Sequence, residues 1–181
     1  LHEEEARHHG MRLHYQLIDL DRSASSVEHL PTLLSAARIM GYAGCNVTYP
    51  CKQAVIPHLD SLSEEARAMG AVNTVVIRDG QLVGHNTDGS GWAWGFTRAL
   101  PGADLRRVVL LGAGGAGAAI AHAVLRLGAE HLSIVDAQPE RAAQLAADVN
   151  ALYGARAEAA DIQAAMAQAT GLIHATPTGM D

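Results

Sequence analysis

Cysteine is scarce: Cys45 and Cys51 are the two among 181 residues. That is too few for a disulfide scaffold, and reduced thiols in a cytoplasmic protein are the default. Long apolar runs are missing too, none approaching the roughly 20 residues that span a bilayer. No basic stretch offsets the surplus of acids: 13 Lys and Arg stand against 19 Asp and Glu, a net charge of −6. That balance argues against nucleic acid or an anionic membrane surface as partner. The opening Leu-His-Glu-Glu-Glu lacks the apolar core of a secretory signal, so a cytoplasmic location is expected. Metal-ligand spacing is absent despite ten histidines. There is no His-Glu-x-x-His or Cys-x-x-Cys, and His8 and His9 are adjacent, which turns them away from one another on a helix. No metal is expected.

What remains is enough to build a core. Hydrophobic residues make up 49% of the chain, with a mean hydropathy of +0.06, and the length allows one large domain or two small ones. The chain is organised around Val108-Val-Leu-Leu111, read as a strand buried on both faces, and a packed helix over Gly117 to Leu127. Between them lies Gly112-Ala113-Gly114-Gly115-Ala116-Gly117. Its first glycine permits a tight turn, its second lets a pyrophosphate approach the backbone, and its third allows the helix to pack on the strand. The helix start then offers free N–H groups and the positive end of its dipole to phosphates. Leu132-Ser-Ile-Val-Asp136 follows as a second strand ending in an acid, 24 residues beyond Gly112, near the spacing of a ribose-binding carboxylate.

Upstream, residues 1–10 read as a helix and Leu13 to Asp19 alternates like a strand. Ser25 or Ser26 can cap a helix over Val27 to Met40. Gly44 to Pro50 reads as a strand running into a loop, Lys52 to Leu59 as a short helix, and Ser63 to Gly70 as a capped one. Ala71 to Ile77 and Gln81 to Gly84 form a hairpin through Asp79-Gly80. His85 to Gly89 is a polar loop before a helix carrying Trp92 and Trp94. Pro101 to Asp104 is the best linker, which divides the chain into 1–103 and 104–181. Beyond Asp136, helices are expected over Pro139 to Tyr153 and Asp161 to Thr170, with strands at Ala155 to Glu158 and Gly171 to Ala175. This alternation implies an α/β protein with a parallel sheet and crossover helices in its second half. The count of strands there is about half that of a doubly wound sheet, so the chain reads as truncated.

Polar residues beside buried strands need a reason. Asn46, Thr48 and Lys52 surround one strand end, Asn73 and Thr74 interrupt another, and Asn86, Thr87 and Asp88 follow the hairpin. Together they would line a small polar pocket, with Lys52 and Asp88 as complementary charges able to manage a proton at a reacting hydroxyl. Singly, each has a plain alternative: a solvated surface lysine, a satisfied turn amide at Asn73, an Asx-turn or helix cap at Asp88.

Five runs in this order, Asn46-Val-Thr-Tyr-Pro-Cys-Lys52, Ala71-Val-Asn-Thr74, Gly84-His-Asn-Thr-Asp-Gly89, Gly112 to Gly117 and Ala175-Thr-Pro-Thr-Gly-Met180, resemble the serial motifs of the shikimate dehydrogenase family. The resemblance implies an N-terminal substrate domain with a mixed, mainly parallel sheet, an incomplete C-terminal Rossmann domain, and a cleft between them. It implies Lys52 and Asp88 as the catalytic pair, with Thr48, Asn73, Asn86 and Asp88 around the substrate. Gly112 to Gly117 match the pyrophosphate turn, and Thr176, Pro177 and Met180 match the loop beside the nicotinamide ribose. The implied reaction is reversible hydride transfer at the C3 hydroxyl of shikimate or quinate, with a homodimer as a candidate assembly. A sensor of the same fold without chemistry is the competing class. Members using NADP resemble Asn-Arg-Thr where this chain has Asp136-Ala-Gln. A carboxylate accepts from a ribose 2′-OH and repels a phosphate, so NAD rather than NADP is expected, with Arg141 the one basic group near enough to complicate that. The aspartate resembles the quinate/shikimate branch. The family's carboxylate-gripping serines would precede Leu1, and its later strands and returning helices would follow Asp181. Cys51 stands where the family has a bulkier residue; it is either a small buried apolar residue or a reactive thiol beside Lys52.

Overall fold

A computed structural model of the chain describes residues 1–20, 26–176 and 178. Ser25, Pro177 and Met180, singled out above, lie outside the described residues.

The first half begins with α1 (His2–His8), whose first turn holds Glu3, Glu4 and Glu5 and whose last holds Arg7 and His8, the charge order that complements a helix dipole. Leu13 to Asp19 does not form the expected strand: it joins neither sheet among the described residues, and Leu13, Tyr15, Leu17 and Ile18 are exposed. Alternation alone does not make a strand; a ladder to a second strand is needed as well. The helix expected over 27–40 is two pieces, a 3₁₀ turn at Val27–His29 capped by Ser26 and then α2 (Leu30–Ile39). Next come β1 (Gly44–Asn46) and α3 (Cys51–Ala54), the latter followed by a 3₁₀ turn at Ile56–His58 that contains Pro57. Pro57 removes a backbone donor and so divides the helix expected over 52–59.

A two-residue strand not read from the sequence, β2 (Ser61–Leu62), precedes α4 (Glu64–Met69). Ser63 Oγ accepts from the Ala66 N–H at the start of α4, and Gly70 ends it in the left-handed region at φ 59°. Glu64 opens α4 as an exposed helix-surface acid. The hairpin is as expected: β3 (Thr74–Arg78) and β4 (Gln81–His85) pair antiparallel, with Arg78 opposite Gln81. The sheet order is β1-β3-β4-β2, antiparallel except for β2 on β4. It is therefore mixed, though the balance among the described residues is antiparallel where mainly parallel pairing was expected. Val55, Ala66, Val72 and Val75, each 0% exposed, form its core with Leu34 and Leu82.

Helix α5 (Asp88–Ala99) leads to the second half. There β5 (Arg107–Leu111), α6 (Gly115–Arg126), β6 (His131–Val135), α7 (Pro139–Tyr153), β7 (Ala157–Ala159), α8 (Ile162–Met166) and β8 (Gly171–His174) follow the expected alternation. Only α8 is much shorter than the 161–170 reading, with Asp161 capping its start. The four strands are all parallel, in the order β7-β6-β5-β8. Leu110, Val124, Leu132 and Ile134 fill the space between sheet and helices. His122 lies in this core, 2% exposed, its ring edge-on to Tyr153 and its Nδ1 3.2 Å from the Tyr153 hydroxyl. No helix among the described residues is long and apolar enough to cross a membrane.

Candidate active site

Three chain segments converge at one end of the first sheet. Lys52 lies on α3, Asn73 just before β3, and Asp88 is the first residue of α5 rather than part of the preceding loop. Backbone bonds lock these segments together. The Val72 N–H donates to the Lys52 carbonyl at 2.8 Å, that of Asn73 to the His85 carbonyl at 3.0 Å, and that of Val47 to the Asn73 carbonyl at 2.7 Å. On this frame Lys52 Nζ donates to Asp88 Oδ2 at 2.6 Å. Asn73 Nδ2 donates to Asp88 Oδ1 at 2.8 Å. The two charged side chains are 26% and 32% exposed. A small molecule can therefore reach them while most of their surface is shielded from water, which strengthens their field on a bound group. Asp88 also meets the positive end of the α5 dipole.

Asn73 is more than a turn amide. Its Oδ1 accepts from the Thr87 N–H and the Thr74 hydroxyl, both at 3.0 Å. Asn86 has a different place from the one expected. It is buried, its Nδ2 donates to the Ala71 carbonyl and its Oδ1 accepts from the Asp88 N–H, both at 3.0 Å. Both ends of its amide serve the backbone, so it sets the start of α5 rather than facing the pocket. Thr48 is exposed on the loop between β1 and α3.

Thr87, expected among the pocket residues, accepts from Asn73 Nδ2 at 3.0 Å. One neighbour was not singled out from the sequence. Tyr15 donates its hydroxyl to Asn46 Oδ1 at 3.2 Å, a contact across 31 residues that no local pattern announces. Cys51 is buried, and burial pushes its thiol up. That is the small apolar reading, not a reactive thiol. Lys52 is the single lysine of the chain beside twelve arginines. Arginine is effectively always protonated, whereas lysine can exchange a proton, and the chain's one lysine is the residue paired with Asp88.

The second constellation lies at the switch point of the parallel sheet. The chain builds β6 and β7 on one side of β5 and returns to place β8 on the other. Open α/β sheets bind ligands where the order reverses, beyond the carboxyl ends of the strands. Gly112 follows β5 there with φ +99°, and a Cβ on it would lie 2.8 Å from the Ala175 carbonyl oxygen and 3.1 Å from Thr176 Cγ2. This brings Thr176 against the turn. A Cβ on Gly117 would strike the Gly112 carbonyl oxygen, whereas Gly114 and Gly115 face open space. Two glycines thus close the turn and two leave its backbone approachable. No side chain caps the start of α6, which leaves its first N–H groups for an anion. These features fit a pyrophosphate.

Asp136, just past β6, accepts from the Ala113 N–H through Oδ2 at 2.7 Å and from the Gln138 N–H through Oδ1 at 2.9 Å. Those two backbone bonds hold its carboxyl below the ordinary range, with Arg141 adding a smaller pull. Arg141 itself is exposed in the first turn of α7. Among the described residues no group of three or more His, Cys, Asp or Glu could hold a metal ion.

The two constellations meet through helices. Gly89, second in α5, lies against the backbone of Ala119, fifth in α6. Four residues of helix rise about 6 Å, so the α6 end of the glycine turn lies one helical turn from the contact beside Asp88.

Comparison with known proteins agrees with this layout. Residues 1–75 match the family model for the shikimate dehydrogenase substrate binding domain. A shikimate dehydrogenase (NADP(+)) of Streptomyces avermitilis is 56% identical over 99% of this chain and 63% of its own length. A quinate/shikimate dehydrogenase (NAD(+)) of Corynebacterium efficiens is 43% identical over 99% of this chain and 65% of its own. The solved structure of quinate dehydrogenase from Corynebacterium glutamicum in complex with NAD superposes with a TM-score of 0.90 at 42% identity, over 97% of this chain and 64% of that one. The chain thus spans less than two thirds of the length of these relatives. With the matched substrate-domain model, relatives aligned from end to end of the chain, and a shared fold around both constellations, the chain belongs to the shikimate dehydrogenase family.

Proposed function

We propose that the polypeptide carrying this chain oxidises the C3 hydroxyl of shikimate or quinate reversibly, with NAD as the partner dinucleotide, in the cytoplasm. Residues 1–103 form the substrate and catalytic part of this reading and 104–181 the dinucleotide part. The observation that carries it is the 2.6 Å Lys52–Asp88 pair, braced by Asn73 and reached from a helix that packs on the glycine-turn helix. In this role the pair receives the hydroxyl proton during oxidation and returns it during reduction. When bound, the dinucleotide supplies the hydride acceptor. Thr48 and Asn73 hold the neighbouring ring hydroxyls, and Asn86 fixes the start of α5 so that Asp88 keeps its direction. Gly112 to Gly117, including the Ala113 and Ala116 backbone, cradle the pyrophosphate, and Thr176 borders the nicotinamide side.

NAD is favoured by Asp136. Its ionised carboxylate retains lone pairs for a ribose 2′-OH and repels a 2′-phosphate. NADP is the second reading, favoured by the Arg141 charge next to Asp136 and by the 56%-identical relative named for NADP(+). Absorbance at the reduced-nicotinamide band, followed with shikimate or quinate and NAD or NADP on the full natural polypeptide, tests both. Turnover with NAD well above NADP is expected. Preference for NADP removes the cofactor assignment, and no turnover with either acid removes the catalytic one in favour of a sensor.

A further inference from the structure

We infer that Gly89 is a positioning residue that sets the distance between the reacting alcohol and the dinucleotide. The inference rests on the function proposed above. Gly89 is buried where three helices meet. A Cβ there would lie 2.8 Å from the Ala119 carbonyl oxygen on α6, 3.5 Å from that carbonyl carbon and 3.0 Å from Met69 Cε at the end of α4. The nearest atom is helix backbone and cannot swing aside, so an added methyl must push α5 off α6. Gly91 and Gly95, on the same helix, would meet nothing within 4 Å. The demand for no side chain is therefore local to position 89 and is not a general property of α5.

Its place gives the contact its consequence. Asp88, one residue earlier, carries the carboxylate that Lys52 and Asn73 hold. Ala119 is 0% exposed and one turn from Gly115, where the turn at Gly112 to Gly117 becomes α6. A displacement at this crossing moves the carboxylate relative to that turn while leaving the bonds within each constellation intact. Rates of group transfer fall about a hundredfold for a misplacement near 1 Å. The few tenths of an ångström forced here should lower the hydride step about tenfold.

The test is Gly89→Ala in the full natural polypeptide beside Gly91→Ala, reading kcat, the deuterium isotope effect with shikimate labelled at C3, dinucleotide Kd and Tm. Gly89→Ala should lower kcat about tenfold, raise the isotope effect and leave dinucleotide Kd within about twofold, although alanine favours a helix. Gly91→Ala should match the parent. Unchanged kcat, an equal loss in both variants, or a loss with unchanged isotope effect and lowered Tm overturns the inference. Should Gly89→Ala fail to fold, Met69→Ala loosens the same seat without adding an atom. It should raise the isotope effect, and an unaltered value overturns the proposal. A parent that turns over neither acid overturns the functional reading and this inference with it, whereas a working parent with an indifferent Gly89→Ala overturns the inference alone.

Discussion

The two constellations are built by opposite means. Around Lys52 and Asp88 the segments are joined by backbone bonds, but the charged groups themselves are aimed by side chains bonding to side chains. Around Gly112 to Gly117 the flanking strand and helix are deeply buried and geometry is held by backbone, with Asp136 the side chain hydrogen-bonded into the turn among the described residues. The difference teaches where each kind of substitution acts. Changes at the first constellation should remove chemistry and spare binding of the dinucleotide, while changes at the second should do the reverse.

The sharpest break in that contrast is Lys52→Ala. It should lower kcat by about a thousandfold with dinucleotide Kd nearly unchanged, measured by steady-state kinetics and by quenching of protein fluorescence. Full turnover would remove Lys52 from the mechanism. Gly117→Ala comes next. Its Cβ meets the Gly112 carbonyl oxygen, so the turn must open, and dinucleotide Kd should rise about a hundredfold in a titration. An unchanged Kd would mean that the turn does not hold the pyrophosphate. Asp136→Ala should weaken NAD about tenfold and narrow the gap to NADP, read as a ratio of kcat/KM values. A widened gap would contradict the assignment of the carboxylate to the ribose.

The smallest effect concerns stability. Burial pushes the His122 imidazole down from its ordinary value, so between that value and the lower folded one the unfolded chain binds more protons than the native one. Stability from this group is therefore complete above about pH 6.5 and is lost as pH falls through and below it. Melting scans from pH 7.5 to 5 should show a Tm decline that His122→Gln reduces by roughly 3 °C. Equal declines in both would place the acid sensitivity elsewhere.

The glycine turn was legible because its demands are local: each glycine answers a steric need within a few residues, and Asp136 follows at a fixed interval. The capped helix α4 and the Asp79-Gly80 hairpin were legible for the same reason. What eluded the sequence depends on neighbours far along the chain. Leu13 to Asp19 alternates correctly yet joins neither sheet among the described residues, and β2 is too short to leave a pattern. Asn86 looked like a pocket residue because amides are common there, but its partners are the Ala71 carbonyl and the Asp88 N–H. The seat of Gly89 depends on Ala119, thirty residues later, and Tyr15 reaches Asn46 only once the chain has folded.

A chain that carries one lysine among its thirteen basic side chains is, to an acylating reagent, nearly a single-address molecule. The pace at which such a reagent marks Lys52 would report how open that amine is to the medium. Measured again with Asp88 replaced by alanine, it would isolate the shelter that the carboxylate gives the amine, something a protein crowded with surface amines would bury in background.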